Sequence, residues 1–337
     1  MIKNKISIIK SGLLSIFLSL LMTLSGQNNF ELIVLGSGGG ILENNLSGYL
    51  LRTNNSNSYV CLDAGTLMHG LELASQENYF QEFESLDQKE STAATVLHQH
   101  IDAYLISHPH LDHISGMLMA APFDNHKEII CSEETANALM THIFESPIWG
   151  NFTTEGKNPV GKWQIQRIDH HQWYPIKNNA LKVKAFPLCH NCPNESSAFL
   201  LQYKNNYMLY FGDTGADAIE GQDYLASIFK EIAPLVKNKE LKALFIEVSF
   251  PNKLNNKELY GHLKPQLLQN ELKKLAFLVD ENHIDNALYG LKIFITHIKP
   301  NFKLENTHKT IIKKELEMGP KFGATFIYPE QSDKYKF

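Results

Sequence analysis

Apolar and β-branched residues fall into short runs at 31–35, 59–62, 103–106, 181–186, 207–211, 243–248 and 291–295, each the length of one strand. Between several of them lie stretches with apolar residues at helical spacing: 133–143, with Ser132 placed to cap it, 223–236, and 265–278, opened by Pro265. A shorter apolar helical stretch covers 114–121. Strands mixed with helices predict a layered α/β architecture. Four strands run into a side chain that can bind a metal: 103–107 into His108, 181–189 into His190, 207–212 into Asp213 and 291–296 into His297. Sheets of this class gather ligands from distant parts of the sequence into one crevice beyond the strand ends.

The densest such feature is Ser107-His108-Pro109-His110-Leu111-Asp112-His113, between an apolar strand and an apolar helix. Pro109 and Asp112 suit a helix entry rather than its interior. With the chain turning there, His108 and His110 can face one cation while Asp112 and His113 face another. Downstream, His190 completes the first site, His297 the second, and Asp213 bridges both. Imidazole and carboxylate ligands suit zinc best, with manganese or iron as alternatives. Two cations roughly 3.5–4 Å apart supply a hydroxide suited to in-line attack on phosphorus.

His108-x-His110-x-Asp112-His113 resembles the signature of the metallo-β-lactamase superfamily, and Leu62-Asp63-Ala64-Gly65 resembles its early strand and turn. The resemblance implies an αββα sandwich, with residues 27–337 as a single catalytic domain. A narrower match is the stretch from His108 through Met117 to Pro122, which is similar to the signature of class II 3′,5′-cyclic nucleotide phosphodiesterases and departs from it at Ala121. Agreeing pieces are Leu35-Gly36-Ser37-Gly38-Gly39-Gly40, Glu43-Asn44-Asn45-Leu46-Ser47-Gly48-Tyr49-Leu50, Phe211-Gly212-Asp213-Thr214-Gly215, Ile246-Glu247-Val248-Ser249-Phe250 and Gly261-His262-Leu263-Lys264-Pro265. The family implies hydrolysis of cyclic AMP or cyclic GMP to the 5′-nucleotide by a hydroxide on two zinc ions. Carried over by position, Asp112 is both ligand and catalytic group, and His262 is a proton donor or oxyanion stabiliser oriented by Glu247. Val248 and Phe250 depart from the family pattern without touching the ligands. The Gly212-Asp213-Thr214 and Glu247…His262 pieces are also similar to tRNA 3′-processing endonucleases of the same superfamily.

Weaker signals add further candidates. Asn191, Ser196 and Ser197, just past His190, are candidate hydrogen-bond donors to a phosphate or ribose. Asp63 is a ligand or, as favoured here, a structural carboxylate at a turn. His98 and His100 are candidate partners for ligating imidazoles. Trp149, Phe152, Trp163, Trp173 and Tyr174 offer a stacking surface for a purine or, more commonly, core packing. The glycines at 36–40 lack dinucleotide spacing and are read as a tight turn beside the site. Cys189-x-x-Cys192 is a local disulfide, a redox pair or half of a zinc site.

Composition narrows the function class. With 43% hydrophobic and 20% charged residues in 337, the chain has the makings of a sizeable core, and four cysteines are too few for a disulfide scaffold. Lys3, Lys5 and Lys10 precede an apolar run over 13–24 that Ser25 and Gly26 close, an order that predicts a signal peptide at 1–26 and an exported, periplasmic or secreted protein. Its removal takes three lysines and no acids, moving the formal net charge from −5 to −8 and leaving no stable membrane anchor. So acidic a protein is a poor partner for nucleic acid. The expected partner is a small cyclic nucleotide, with a homodimer compatible. The alternatives are another hydrolase on the same metals, acting on an RNA end, sulfate ester, lactone or β-lactam, and a non-catalytic metal- or nucleotide-binding protein.

Overall fold

The structure, a computed structural model, describes residues 29–84, 89–305 and 307–337; the expected signal peptide lies outside the described residues. One sheet holds β1 (Phe30–Gly36), β2 (Gly48–Thr53), β3 (Tyr59–Ala64), β4 (Ile101–Leu105), β5 (Lys127–Cys131) and β6 (Trp163–Arg167) in that spatial order. The other holds β7 (Trp173–Pro175), β8 (Lys182–Cys189), β9 (Glu195–Tyr203), β10 (Asn206–Phe211), β11 (Leu241–Glu247), β12 (Lys292–Thr296) and β13 (Thr325–Ile327). The last strand, β14 (Lys334–Lys336), returns to pair antiparallel with β1.

The two sheets face each other across a core that includes Leu32, Tyr49, Leu62 and Leu105 from one side and Phe199, Tyr210, Phe245 and Phe294 from the other. Along single strands the same core takes alternate positions, such as Leu32 and Val34 of β1 and Phe199 and Leu201 of β9, as a buried face requires. Their opposite faces carry helices. Against the first sheet lie α1 (Met68–Gln76), α2 (Thr92–Gln99), α3 (Leu111–Ala120) and α4 (Glu133–Ala138). Against the second lie α5 (Asp217–Glu220), α6 (Tyr224–Lys237), α7 (Pro265–Val279) and α8 (His308–Met318). Leu225, Ile228, Phe229, Ile232 and Val236 of α6 recur at helical spacing and pack with Leu268, Leu272 and Leu275 of α7. The architecture is a mixed α/β sandwich in αββα order, as expected.

Local chemistry sets the boundaries. Ser132 accepts a hydrogen bond from the Thr135 amide and starts α4, but the helix ends at Ala138 and passes into a π-turn over Leu139–Ile143, so the stretch 133–143 is not one regular helix. Asp217 receives the Leu225 and Ala226 amides at 2.9 Å each and so satisfies the start of α6. Strands β3 to β6 run parallel, as do β10 to β13. Parallel strands deliver their following loops to one edge, and there the candidate ligands collect.

Candidate metal centre

Each candidate ligand follows directly from a strand or opens a helix. His108 comes three residues after β4, Asp112 and His113 sit in the first turn of α3, and His110 holds its N-cap position without capping it. His190 follows β8, Asp213 follows β10 by two residues, and His297 follows β12. His108, His110, His190 and Asp213 bring one donor atom each to within 4.8 Å of one another, and so do Asp112, His113 and His297. Asp213 lies between the groups: Oδ2 is 3.8 Å from His108 Nε2, 3.9 Å from His190 Nε2 and 3.3 Å from His297 Nε2, while Oδ1 is 3.3 Å from His113 Nε2. A carboxylate so placed can serve both groups.

The Nδ1 atoms of four of these imidazoles, those of His108, His113, His190 and His297, are engaged elsewhere. His113 Nδ1 meets Asp63 Oδ2 at 2.8 Å, and His190 Nδ1 donates to the Gly261 carbonyl at 2.9 Å. Ser107 Oγ gives its proton to Asp63 at 2.7 Å and receives His108 Nδ1 at 3.0 Å. Ser249 repeats this arrangement on the other sheet, donating to Glu247 Oε2 at 2.6 Å, the shortest of its contacts, and receiving His297 Nδ1 at 3.0 Å. A hydroxyl that has donated offers only lone pairs, so both histidines carry hydrogen on Nδ1 and present a bare Nε2. His108 Nε2 and His113 Nε2 are buried without any hydrogen-bond partner. Orphaned buried acceptors of this kind are costly unless something electropositive meets them, and four bare imidazole nitrogens around an ionised carboxylate fit a pair of divalent cations.

The charge states agree except at His113, where burial lowers the pKa but the Asp213 and Asp63 carboxylates outweigh it and hold the ring well above its ordinary value, so a cation has to displace the proton on its Nε2. Burial pulls His110 down to about 4 and His262 down to about 4, so both are neutral near pH 7. For Asp213, burial opposes ionisation, but the His297 and His113 imidazoles outweigh it and hold the carboxyl well below its ordinary range. Neutral imidazoles and ionised carboxylates are the forms that bind metal. Burial, reinforced by the Asp213 charge, pushes Glu247 up to about 7. Its Oε1 meets His262 Nδ1 at 2.7 Å, as the orienting role implied for it requires. Glu247 and His262 also form a group with His190 and Asp213 whose donor atoms all lie within 4.8 Å.

The glycine turn closes one side. Gly40, at φ +86°, donates its N–H to Asp112 Oδ2 at 2.9 Å, and a Cβ on Gly39 would stand 2.5 Å from the His297 ring. Only glycine permits both approaches.

Asp63 is structural in the sense expected, since its Oδ1 takes the Ser107 amide at 2.8 Å and its Oδ2 takes Ser107, His113 and Tyr210. Asn191 is exposed, whereas Ser196 and Ser197 lie in β9, each 1% exposed with an unpartnered Oγ. His98 pairs with Glu90, and His100 bonds the Asn57 carbonyl at the start of β4, at the far end from His108; neither supports a ligand. Trp163 is fully buried, packs edge-on to Tyr104 and donates to Asp124, so it belongs to the core rather than to a stacking surface. Cys189 and Cys192 are disulfide-bonded to each other on either side of His190. Ser107 and Ser249 carried no signal in the sequence beyond their place beside His108 and Glu247. A cavity of about 310 Å³ opens beside the first ligand group, lined by His108, His110, His190, Glu134, Asn194 and Glu195. A larger apolar cavity of about 560 Å³, between α1, α2 and α3, contains none of the candidate ligands.

Fold and site together define a metallohydrolase of the metallo-β-lactamase class. A metallo-β-lactamase fold protein from Bacillus subtilis superimposes with a TM-score of 0.58 at 15% identity, over 92% of this chain and 100% of its own. The chain belongs to the class II cyclic-nucleotide phosphodiesterases: the model of the family described as cAMP phosphodiesterases class-II matches residues 30–324. It is 34% identical to a 3′,5′-cyclic-nucleotide phosphodiesterase of Aliivibrio fischeri, over 100% of both chains. A probable 3′,5′-cyclic-nucleotide phosphodiesterase of Yersinia pestis is also 34% identical, over 99% of this chain and 96% of the relative. The crystal structure of unliganded yeast PDE1 shares the fold, with a TM-score of 0.79 at 22% identity, covering 92% of this chain and 99% of that one.

Proposed function

We propose that the protein hydrolyses 3′,5′-cyclic nucleotides, cyclic AMP or cyclic GMP, to 5′-nucleotides. The observation that carries the reading is the ligand cluster around Asp213, set in a chain similar along its whole length to two bacterial 3′,5′-cyclic-nucleotide phosphodiesterases. His108, His110 and His190 would hold one cation and Asp112, His113 and His297 the other, with Asp213 shared; the donor set favours zinc. Bound there, the pair supplies Lewis acidity and an oxygen nucleophile at neutral pH. In the reaction a water-derived oxygen bonds to phosphorus, the P–O3′ bond breaks, and the electron pair leaves on O3′. His262 meets Glu247 Oε1 through Nδ1 at 2.7 Å. With the Glu247 carboxyl, pushed up to about 7, holding its proton toward Nδ1, the neutral ring carries its hydrogen on Nε2 and is the group we assign to give it to that oxygen, the carboxyl proton passing to Nδ1 in its place.

Following the phosphorus of cyclic AMP by NMR tests the reading, with the 5′-monoester as the expected product. A 3′-monoester, or no change, contradicts it. The proton role of His262 has its own check. The change His262→Ala should lower kcat for cyclic AMP roughly 10²- to 10⁴-fold with metal content unchanged. It should cost far less for bis(p-nitrophenyl) phosphate, whose leaving group departs without a proton. Equal losses on both substrates would rule that role out.

The N-terminal order of lysines and apolar residues supports export, and a mature N-terminus near Gly26 in protein recovered outside the cytoplasm is the observation that checks it.

A further inference from the structure

Two residues past His297 stands Lys299, whose main chain is pinned from both sides. Its N–H donates to the Ser249 carbonyl at 3.2 Å, and its own carbonyl meets the His308 ring at 2.9 Å at the start of α8. The partner on one side is the residue whose hydroxyl steadies His297. The side chain is 23% exposed and turns toward the site, with Nζ 3.8 Å from Asp112 Oδ2.

That separation exceeds a hydrogen bond. Asp112 Oδ2 already takes the Gly40 amide at 2.9 Å and lies 3.1 Å from His297 Nε2. Lys299 thus contributes charge to the site without committing its donors to that carboxylate. A Cβ on Gly40 would lie 3.8 Å from both Cγ and Nζ of Lys299, so the glycine turn flanks the lysine without crowding it. No other Lys or Arg among the described residues is ion-paired with a candidate ligand carboxylate.

The established family chemistry acts on an anion, and the anion gains charge. A phosphodiester carries one negative charge, and the monoester it becomes carries up to two. The added charge grows on the non-bridging oxygens, where a fixed ammonium in a water-poor site is most effective.

We propose that Lys299 binds the substrate phosphate, its ammonium donating to a non-bridging oxygen on the side of the site bounded by Gly40, Asp112 and His297. This rests on the phosphodiesterase reading above. The competing role is a structural one, in which Lys299 only steadies Asp112. Loss of a steadying cation would change the metal load, whereas loss of a phosphate contact changes anion affinity at constant load.

The test compares metal-loaded wild type, Lys299→Met and Lys299→Arg, with metal content measured for each. Inorganic phosphate is titrated by calorimetry, and 5′-AMP and adenosine are compared as inhibitors. In Lys299→Met, phosphate and 5′-AMP should bind roughly 10- to 100-fold more weakly, with adenosine and metal content unchanged and KM for cyclic AMP raised. Lys299→Arg should recover most of the loss. Unchanged phosphate and 5′-AMP affinity in Lys299→Met, or a loss that tracks lost metal, overturns the proposal. Phosphate titration needs no turnover: a wild type inert toward cyclic AMP refutes the substrate reading, while the phosphate result still decides the role of Lys299.

Discussion

Asp213→Ala is expected to bring turnover below about one ten-thousandth of wild type and to leave fewer than two metal ions per chain. The reason is position. One carboxylate stands 3.3–3.9 Å from the Nε2 atoms of His108, His113, His190 and His297. Removing it withdraws the one candidate ligand among the described residues that stands between both groups, and leaves cations to assemble with one fewer negative charge. Asp213→Asn keeps the shape and loses the charge, so it should resemble the alanine variant if charge governs. Metal content by plasma emission together with initial rates decides the matter, and near-normal turnover at two metals per chain would remove Asp213 from the mechanism.

The second large effect is on stability. Asp63 is 0% exposed and accepts from the Ser107 amide, the Ser107 hydroxyl, His113 Nδ1 and the Tyr210 hydroxyl, at 2.7–2.8 Å. In Asp63→Ala these buried donors lose a common acceptor, and such losses cost far more than the net worth of the bonds. We expect about 3–5 kcal/mol of destabilisation, read from urea unfolding of metal-free protein. Metal affinity should fall roughly 10- to 100-fold, because the His113 and Ser107–His108 arrangements both end on this carboxylate. A metal-free variant with an unchanged unfolding midpoint would contradict the account of Asp63 as the anchor of this half of the site.

The contrast between these two aspartates shows what was legible in the sequence. Asp213 stands at the end of an apolar run, and the run-then-ligand pattern at His108, His190, Asp213 and His297 became four strand ends at one edge of a sandwich. Periodicity reports which face of an element is buried, so the helices over α6 and α7 were also legible. Contacts between distant segments leave no such trace. Ser249 acts on His297 from 48 residues away, and Asp63 on His113 from 50. Lys299 reaches Asp112 only because the glycine turn folds beside both. β2, β5, β6 and β9 lie outside the runs read as strands; in β9 the apolar residues Ala198-Phe199-Leu200-Leu201 follow Glu195-Ser196-Ser197, and pairing with β8 and β10 buries the two serines as well. His98 and His100 show the converse error: nearness in sequence to His108 placed them at the wrong end of the same strand.

The account stands most directly on one assay. Purified protein, with and without a metal chelator, is offered cyclic AMP, cyclic GMP, bis(p-nitrophenyl) phosphate and a chromogenic β-lactam in parallel, with products identified. The account predicts 5′-nucleotide from a cyclic nucleotide, abolished by chelator and restored by added divalent metal. Turnover of the β-lactam without the cyclic nucleotides, or release of 5′-nucleotide indifferent to chelator, would contradict it.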